Sequence, residues 1–93
     1  LPIDFIKIDV EGGEYQVMKG AVRTIKTYKP YIIFEHGKGA SPFYGTTPSM
    51  VYDLLVKECG LKIFFLDGSG PLSESAMIDV FENESAWNFL AHP

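Results

Sequence analysis

Residues 3–14 read IDFIKIDVEGGE, and this stretch decides the fold. Its first part is almost continuously apolar, which is the pattern of a strand that a parallel sheet buries on both faces. The predicted strand, residues 3–9, ends among the carboxylates Asp9 and Glu11, and two glycines then turn the chain. In open α/β sheets, ligands bind in the crevice beyond the carboxyl ends of the strands. Asp9 and Glu11 are therefore the first candidate site residues.

A second strand follows after a helical segment. The apolar residues of segment 15–25 have helical spacing, and Gly20 divides the predicted helix into two short pieces. The strand 31–34 then leads to Glu35 and His36. A strand, a helix and a strand of these lengths form a βαβ unit with parallel strands. Glu35 and His36 are therefore expected at the same sheet edge as the first two acids.

The rest of the chain predicts two more helices and two more strands. Residues 37–46 are expected to form a loop on the ligand side, after which Thr47 caps the next helix. The third strand is placed at residues 61–66, and Ser73 caps a short helix after it. The last strand, residues 87–91, is reached by too short a path for another full crossover, so an antiparallel direction is expected.

Composition limits the classes of function. The chain has 93 residues, of which 46% are apolar, and this size fits a single folded unit. A net charge of -4 and scattered basic residues argue against a sequence-independent binder of the nucleic-acid backbone. One cysteine rules out an internal disulfide framework, and no apolar run approaches the ~20 residues that span a bilayer. A cytoplasmic protein without membrane or nucleic-acid partners is expected. The absence of an initiator Met before the first strand suggests an excerpt of a longer protein.

Several parts of the sequence together resemble the FkbM-type methyltransferases. They are IKIDVEG at residues 6–12, Glu14, MKGA at residues 18–21, Pro30 and the apolar strand that ends in Glu35. Members of this family are S-adenosylmethionine-dependent and have a seven-stranded Rossmann-like sheet. The resemblance implies that residues 1–93 are the C-terminal part of one such α/β domain. Its strands here would be the fourth to the seventh: three parallel strands, plus an antiparallel one inserted between the fifth and the sixth.

The same resemblance implies that the first three strands, with the glycine-rich loop for the cofactor, are missing. The isolated chain is then expected to be inactive and to fail to bind S-adenosylmethionine at micromolar levels. The strand at residues 3–9 would be left with an unpaired edge, and such edges recruit other chains. A homodimer through this edge is therefore a possible assembly.

Methyl transfer is an in-line displacement, so it requires alignment of the reactants and a base when the acceptor is a hydroxyl. The candidate catalytic residues are Asp9, Glu11, Glu35 and His36. His36 is expected to titrate in the useful range. By resemblance, Asp9 also lies beside the methyl-bearing end of the cofactor. The family resemblance favours O-methylation of a sugar or another small hydroxyl compound, and N-methylation stays open.

Other interpretations of the same residues remain open. Asp9 could cap the following helix, and His36 could be an ordinary loop histidine. Phe43, Tyr44 and Trp87 could belong either to the core or to a substrate pocket. The side chains of Asp9, Glu11, Glu35 and His36 could instead bind a magnesium or manganese ion. Residues 3–9 also resemble the metal-binding strand of EAL-type phosphodiesterases, which are TIM barrels. A non-catalytic folding or interaction unit is the third alternative.

Overall fold

The structure is a computed structural model that describes residues 5–8, 14–37 and 46–93, and of Glu14 it describes the backbone alone. Two of the candidate site residues, Asp9 and Glu11, lie outside the described residues. Glu35 and His36 lie inside them. The helix of residues 14–28 and the strands on both sides of it follow the order that the sequence predicts.

The described strands form one four-stranded sheet. They are β1 (Phe5–Ile8), β2 (Tyr31–Glu35), β3 (Lys62–Phe65) and β4 (Asn88–His92). Their order across the sheet is β1-β2-β4-β3. β1 and β2 pair in parallel, as the βαβ pattern predicts. β4 is antiparallel to both of its neighbours and lies between β2 and β3, which confirms the expected direction and insertion of the last strand.

The expectation of three parallel strands needs a correction. Two of the three described pairings are antiparallel, so the sheet is mixed and mostly antiparallel in its pairing. The reason is the position of β4, which separates β3 from β2 and leaves β3 without a parallel neighbour. β1, β2 and β3 still run in one direction, because β4 is antiparallel to both β2 and β3. An antiparallel strand inside the sheet also contradicts the TIM-barrel alternative, whose strands are all parallel.

The helices connect the strands. They are α1 (Glu14–Gly20), α2 (Val22–Tyr28), α3 (Pro48–Tyr52) and α4 (Glu74–Asn83). The predicted break at Gly20 is confirmed, since α1 ends there and α2 begins after Ala21. α3 continues as a π-helical segment, Asp53–Glu58, in which the Cys59 N–H donates to the Leu54 carbonyl at 3.0 Å. This bond spans five residues, which defines a π-helix.

Two predicted helix caps are present. The Thr47 hydroxyl accepts a hydrogen bond from the Met50 N–H at 3.2 Å and starts α3. The Ser73 hydroxyl accepts one from the Ala76 N–H at 3.1 Å and starts α4. Each bond satisfies a backbone donor that the first turn of a helix leaves without an intrahelical partner.

The hydrophobic core lies between one face of the sheet and the helices. Alternate strand residues point to the same face, and those of β2 and β4 on the core face are fully buried. The core residues from strands are Ile8, Ile32, Phe34, Ile63, Phe89 and Ala91, and those from helices include Met18, Ile25, Val51, Leu55, Met77 and Val80. In the part of the chain that the structure describes, no helix has the length and apolar character needed to cross a membrane.

Candidate active site at the carboxyl end of β2

Glu35 is the last residue of β2 and lies at the carboxyl end of the parallel pair. Its Cα is level with that of Asn88, the first residue of β4. The side chain is half-buried. The preceding residue, Phe34, pairs with Ile8, the last residue of β1. Because β1 and β2 are parallel, the edge that carries Glu35 is also the edge at which β1 ends.

The acids predicted on the first strand end are not placed. Asp9 and Glu11 follow Ile8 in the sequence but lie outside the described residues, and the side chain of Glu14 does as well. Of the four candidate catalytic residues, the structure describes Glu35 and His36, which are consecutive at the end of β2, and their relation to Asp9 and Glu11 stays a prediction. Of the aromatic residues proposed to line a pocket, Phe43 and Tyr44 also lie outside the described residues, whereas Trp87 is described.

His36 is held by contacts on both its backbone and its ring. The side chain is 3% exposed. The backbone N–H donates to the Trp87 carbonyl at 2.8 Å. The imidazole stacks on the Phe81 ring of α4, with 5.0 Å between centroids and 27° between planes. His36 therefore ties the end of β2 to α4 and to the start of β4.

Burial makes His36 a poor base. Because a buried site disfavours the charged imidazolium, burial lowers the pKa of His36 from 6.5 to about 4. The ring is therefore neutral at pH 7, and a base this weak has little tendency to take a proton. The expectation that His36 titrates in the useful range is wrong, because the ring is buried against Phe81 and its pKa is lowered. No local pattern in the sequence indicates this burial.

Gly37 contacts the indole of Trp87 closely enough to exclude any side chain. A Cβ built on Gly37 would lie 2.5 Å from Cε3 and 2.9 Å from Cδ2 and Cζ3 of Trp87. Gly37 is not among the described glycines with positive φ, so space rather than backbone conformation requires glycine there. This role of Gly37 was not predicted from the sequence, because fifty residues separate it from Trp87 and no local pattern relates the two positions.

Neither a buried hydroxyl nor a metal cluster adds to this site in the described part of the chain. Thr46, which follows the loop, is 3% exposed, and its hydroxyl has no hydrogen-bond partner among residues 5–8, 14–37 and 46–93. Within the same ranges, no group of three or more His, Cys, Asp or Glu residues is placed to hold a metal ion.

A surface cavity lies away from these strand ends. Its volume is about 320 Å³, and it is lined by Tyr52, Val56, Lys62, Pro71, Leu72 and Ser73. Lys62 is the first residue of β3, whereas the candidate site lies where the strands of that direction end. The cavity therefore does not form part of the candidate active site.

Comparison with known proteins identifies a family for the chain. Residues 2–63 match the family model for the methyltransferase FkbM domain, which is more than half of the chain. The matched range contains β1, β2, the helices between them and α3 with its π-helical continuation, and it ends inside β3. No curated protein and no solved structure matches the chain.

Proposed function

Because the chain belongs to the methyltransferase FkbM family, we propose that it takes part in S-adenosylmethionine-dependent methyl transfer to a hydroxyl group of a sugar or another small compound. We assign β1, β2, β3 and β4 to the fourth, fifth, sixth and seventh strands of a Rossmann-like sheet. The support for this assignment is the order β1-β2-β4-β3 with an antiparallel strand between two strands of common direction.

The observation that carries the functional proposal is the position of Glu35. S-adenosylmethionine, when bound, supplies a methyl group on a positively charged sulfonium. A half-buried carboxylate at the carboxyl end of β2 fits such a cation, because opposite charges attract more strongly where water is partly excluded. We also propose Asp9 as a residue that binds the cofactor, since Asp9 follows β1 in the sequence and matches the family motif.

The reaction also requires a base at this edge of the sheet to take up a proton. Each transferred methyl group releases one proton from the acceptor hydroxyl, and we assign its uptake to a carboxylate oxygen of Glu35. Asp9 and Glu11 are the further catalytic acids of the proposal. His36 is neutral and covered by Phe81, so its proposed role is to position the end of β2 rather than to take the proton.

The test is transfer of labelled methyl groups from S-adenosylmethionine to a panel of methyl glycosides by the full protein. Glu35→Gln keeps the shape of the side chain and removes the base, so kcat should fall about a hundredfold. Glu58→Gln is the matched control, because Glu58 is exposed on the π-helical segment, away from this edge. Unchanged turnover of the Glu35 variant would reject the assigned base. No transfer to any hydroxyl compound would favour the non-catalytic alternative.

A further inference from the structure

Trp87 lies beside the candidate active site although it is far from it in sequence. It directly precedes β4, whose first residue is level with Glu35. Its carbonyl accepts the hydrogen bond from the His36 N–H at 2.8 Å. The backbone of Trp87 is therefore fixed at the carboxyl end of β2, one residue beyond Glu35.

The indole has a defined place as well. It lies against Gly37, at a distance that leaves no room for a Cβ atom. Gly37 itself is buried, so the ring covers the backbone just beyond the strand end. Trp87 is nevertheless only half-buried and is not one of the buried residues of the core. A large aromatic ring is thus held at the site by backbone contacts while part of its surface stays open to solvent.

We propose that the indole of Trp87 is the platform on which the methyl acceptor stacks, and that the acceptor is a pyranose sugar. This inference rests on the proposed function. Ligand sites in proteins combine apolar or aromatic walls with a few placed polar groups. A pyranose presents an apolar face of C–H bonds and a rim of hydroxyls, so the face suits the indole while the hydroxyls extend towards the strand end. Gly37 is the positioning residue that lets the indole occupy this place.

Binding can be measured without activity, because Trp87 is the single tryptophan of the sequence. Its fluorescence should shift saturably on titration with methyl β-D-glucopyranoside, whose ring has two C–H faces. Glycerol at an equal concentration of hydroxyl groups is the control and should cause no saturable shift. Gly37→Ala should weaken sugar binding at least about fivefold, because the added Cβ displaces the indole. A sugar titration that leaves the fluorescence unchanged would overturn the platform.

Kinetics of the full protein separate this inference from the proposed function. Trp87→Leu should raise KM for the accepted sugar about tenfold, with kcat and the affinity for S-adenosylmethionine unchanged. Trp87→Phe keeps an aromatic face, so its KM for the sugar should stay within about threefold of the parent's. If the leucine variant does not fold, a KM of the phenylalanine variant outside this range rejects the platform. Unchanged KM in the leucine variant of an active enzyme rejects the platform alone. Sugar binding through Trp87 without any methyl transfer rejects the proposed function alone.

Discussion

The acidic residues that follow β1 in the sequence allow a catalytic role to be compared with a role in stabilising a helix end. Asp9 and Glu14 both follow this strand in the sequence, but Glu14 is the first residue of α1. If Asp9 contacts the cofactor or substrate, Asp9→Asn should lower turnover of the full protein at least about tenfold. Glu14→Gln should be nearly silent, because a first-turn carboxylate contributes mainly to the helix end. Equal activity of the Asp9 variant and its parent would contradict the assignment.

The burial of His36 predicts how the free energy of unfolding depends on pH. Folding lowers its pKa from 6.5 to about 4, so between these values the unfolded chain binds more protons than the folded chain. The free energy of unfolding should therefore be highest above pH 6.5 and fall as the pH decreases towards 4, on the order of 3 kcal/mol from this group. Urea denaturation at several pH values measures this slope.

The control for this prediction uses the other histidine. His36→Phe keeps a ring against Phe81 and should flatten the pH dependence between 4 and 6.5. His92→Phe should keep the slope, since His92 stacks between Tyr31 and Phe64 and its replacement preserves an aromatic ring there. If the two variants show the same pH dependence, the burial of His36 is not its cause.

At the scale of elements, the cap of α4 is open to a simple test. Ser73 accepts the Ala76 N–H, and Ser73→Ala leaves this backbone donor without its side-chain partner. The loss should lower the free energy of unfolding by about 1 kcal/mol. Ser85→Ala is the matched control, because Ser85 is exposed and lies after the end of α4. A destabilisation of equal size in both variants would show that the cap contributes nothing specific.

The elements that the sequence predicts well are those decided by neighbours in the chain. The caps at Thr47 and Ser73 and the break at Gly20 follow from local backbone chemistry, and all three are present. The last strand begins at Asn88, one residue later than predicted. The π-helical continuation of α3 was not predicted, because its apolar residues have ordinary helical spacing and the change lies in the hydrogen bonds.

The candidate site was predictable only in part, for a related reason. A strand that ends in Glu35 and His36 can be read from the sequence, and the structure places Glu35 at the carboxyl end of β2. The burial of His36 and the close contact of Gly37 depend on Phe81 and Trp87, respectively, and each partner lies more than forty residues away in the chain. Contacts over such separations are set by packing of the whole sheet and have no local signature.

At the scale of the whole molecule, the fold gathers two strand ends whose acids could act with or without a metal ion. We expect the acids to act through the positions of their side chains, so activity of the full protein should survive treatment with EDTA. An assay before and after chelation, with magnesium or manganese added back, measures this. Loss of activity that either metal restores would support the metal-dependent alternative, with Asp9 and Glu35 as the first ligands to test.

The two edges of the described sheet differ in how well they are protected from pairing with another chain. The outer edge of β3 is covered by the following turn, because the Phe65 N–H donates to the Ser69 carbonyl at 3.0 Å and the Leu72 N–H to the Ile63 carbonyl at 2.7 Å. β1 is the other edge strand, and in the described part of the chain it pairs with β2 alone. Phe5 of β1 is 56% exposed. An open strand edge with exposed apolar side chains favours pairing with another chain.

The chain of residues 1–93 should therefore self-associate through β1. Phe5→Lys places a charge on this edge and should shift the chain towards monomer, because pairing would bring two lysines together or bury one of them. Val17→Lys is the matched control, since Val17 is 45% exposed on α1 and lies outside the sheet. Light scattering across a range of protein concentrations gives the masses of the parent and both variants. A parent that stays monomeric at the highest concentration would contradict the edge argument, and so would equal dissociation by both lysines, because exposed apolar surface in general would then drive the association.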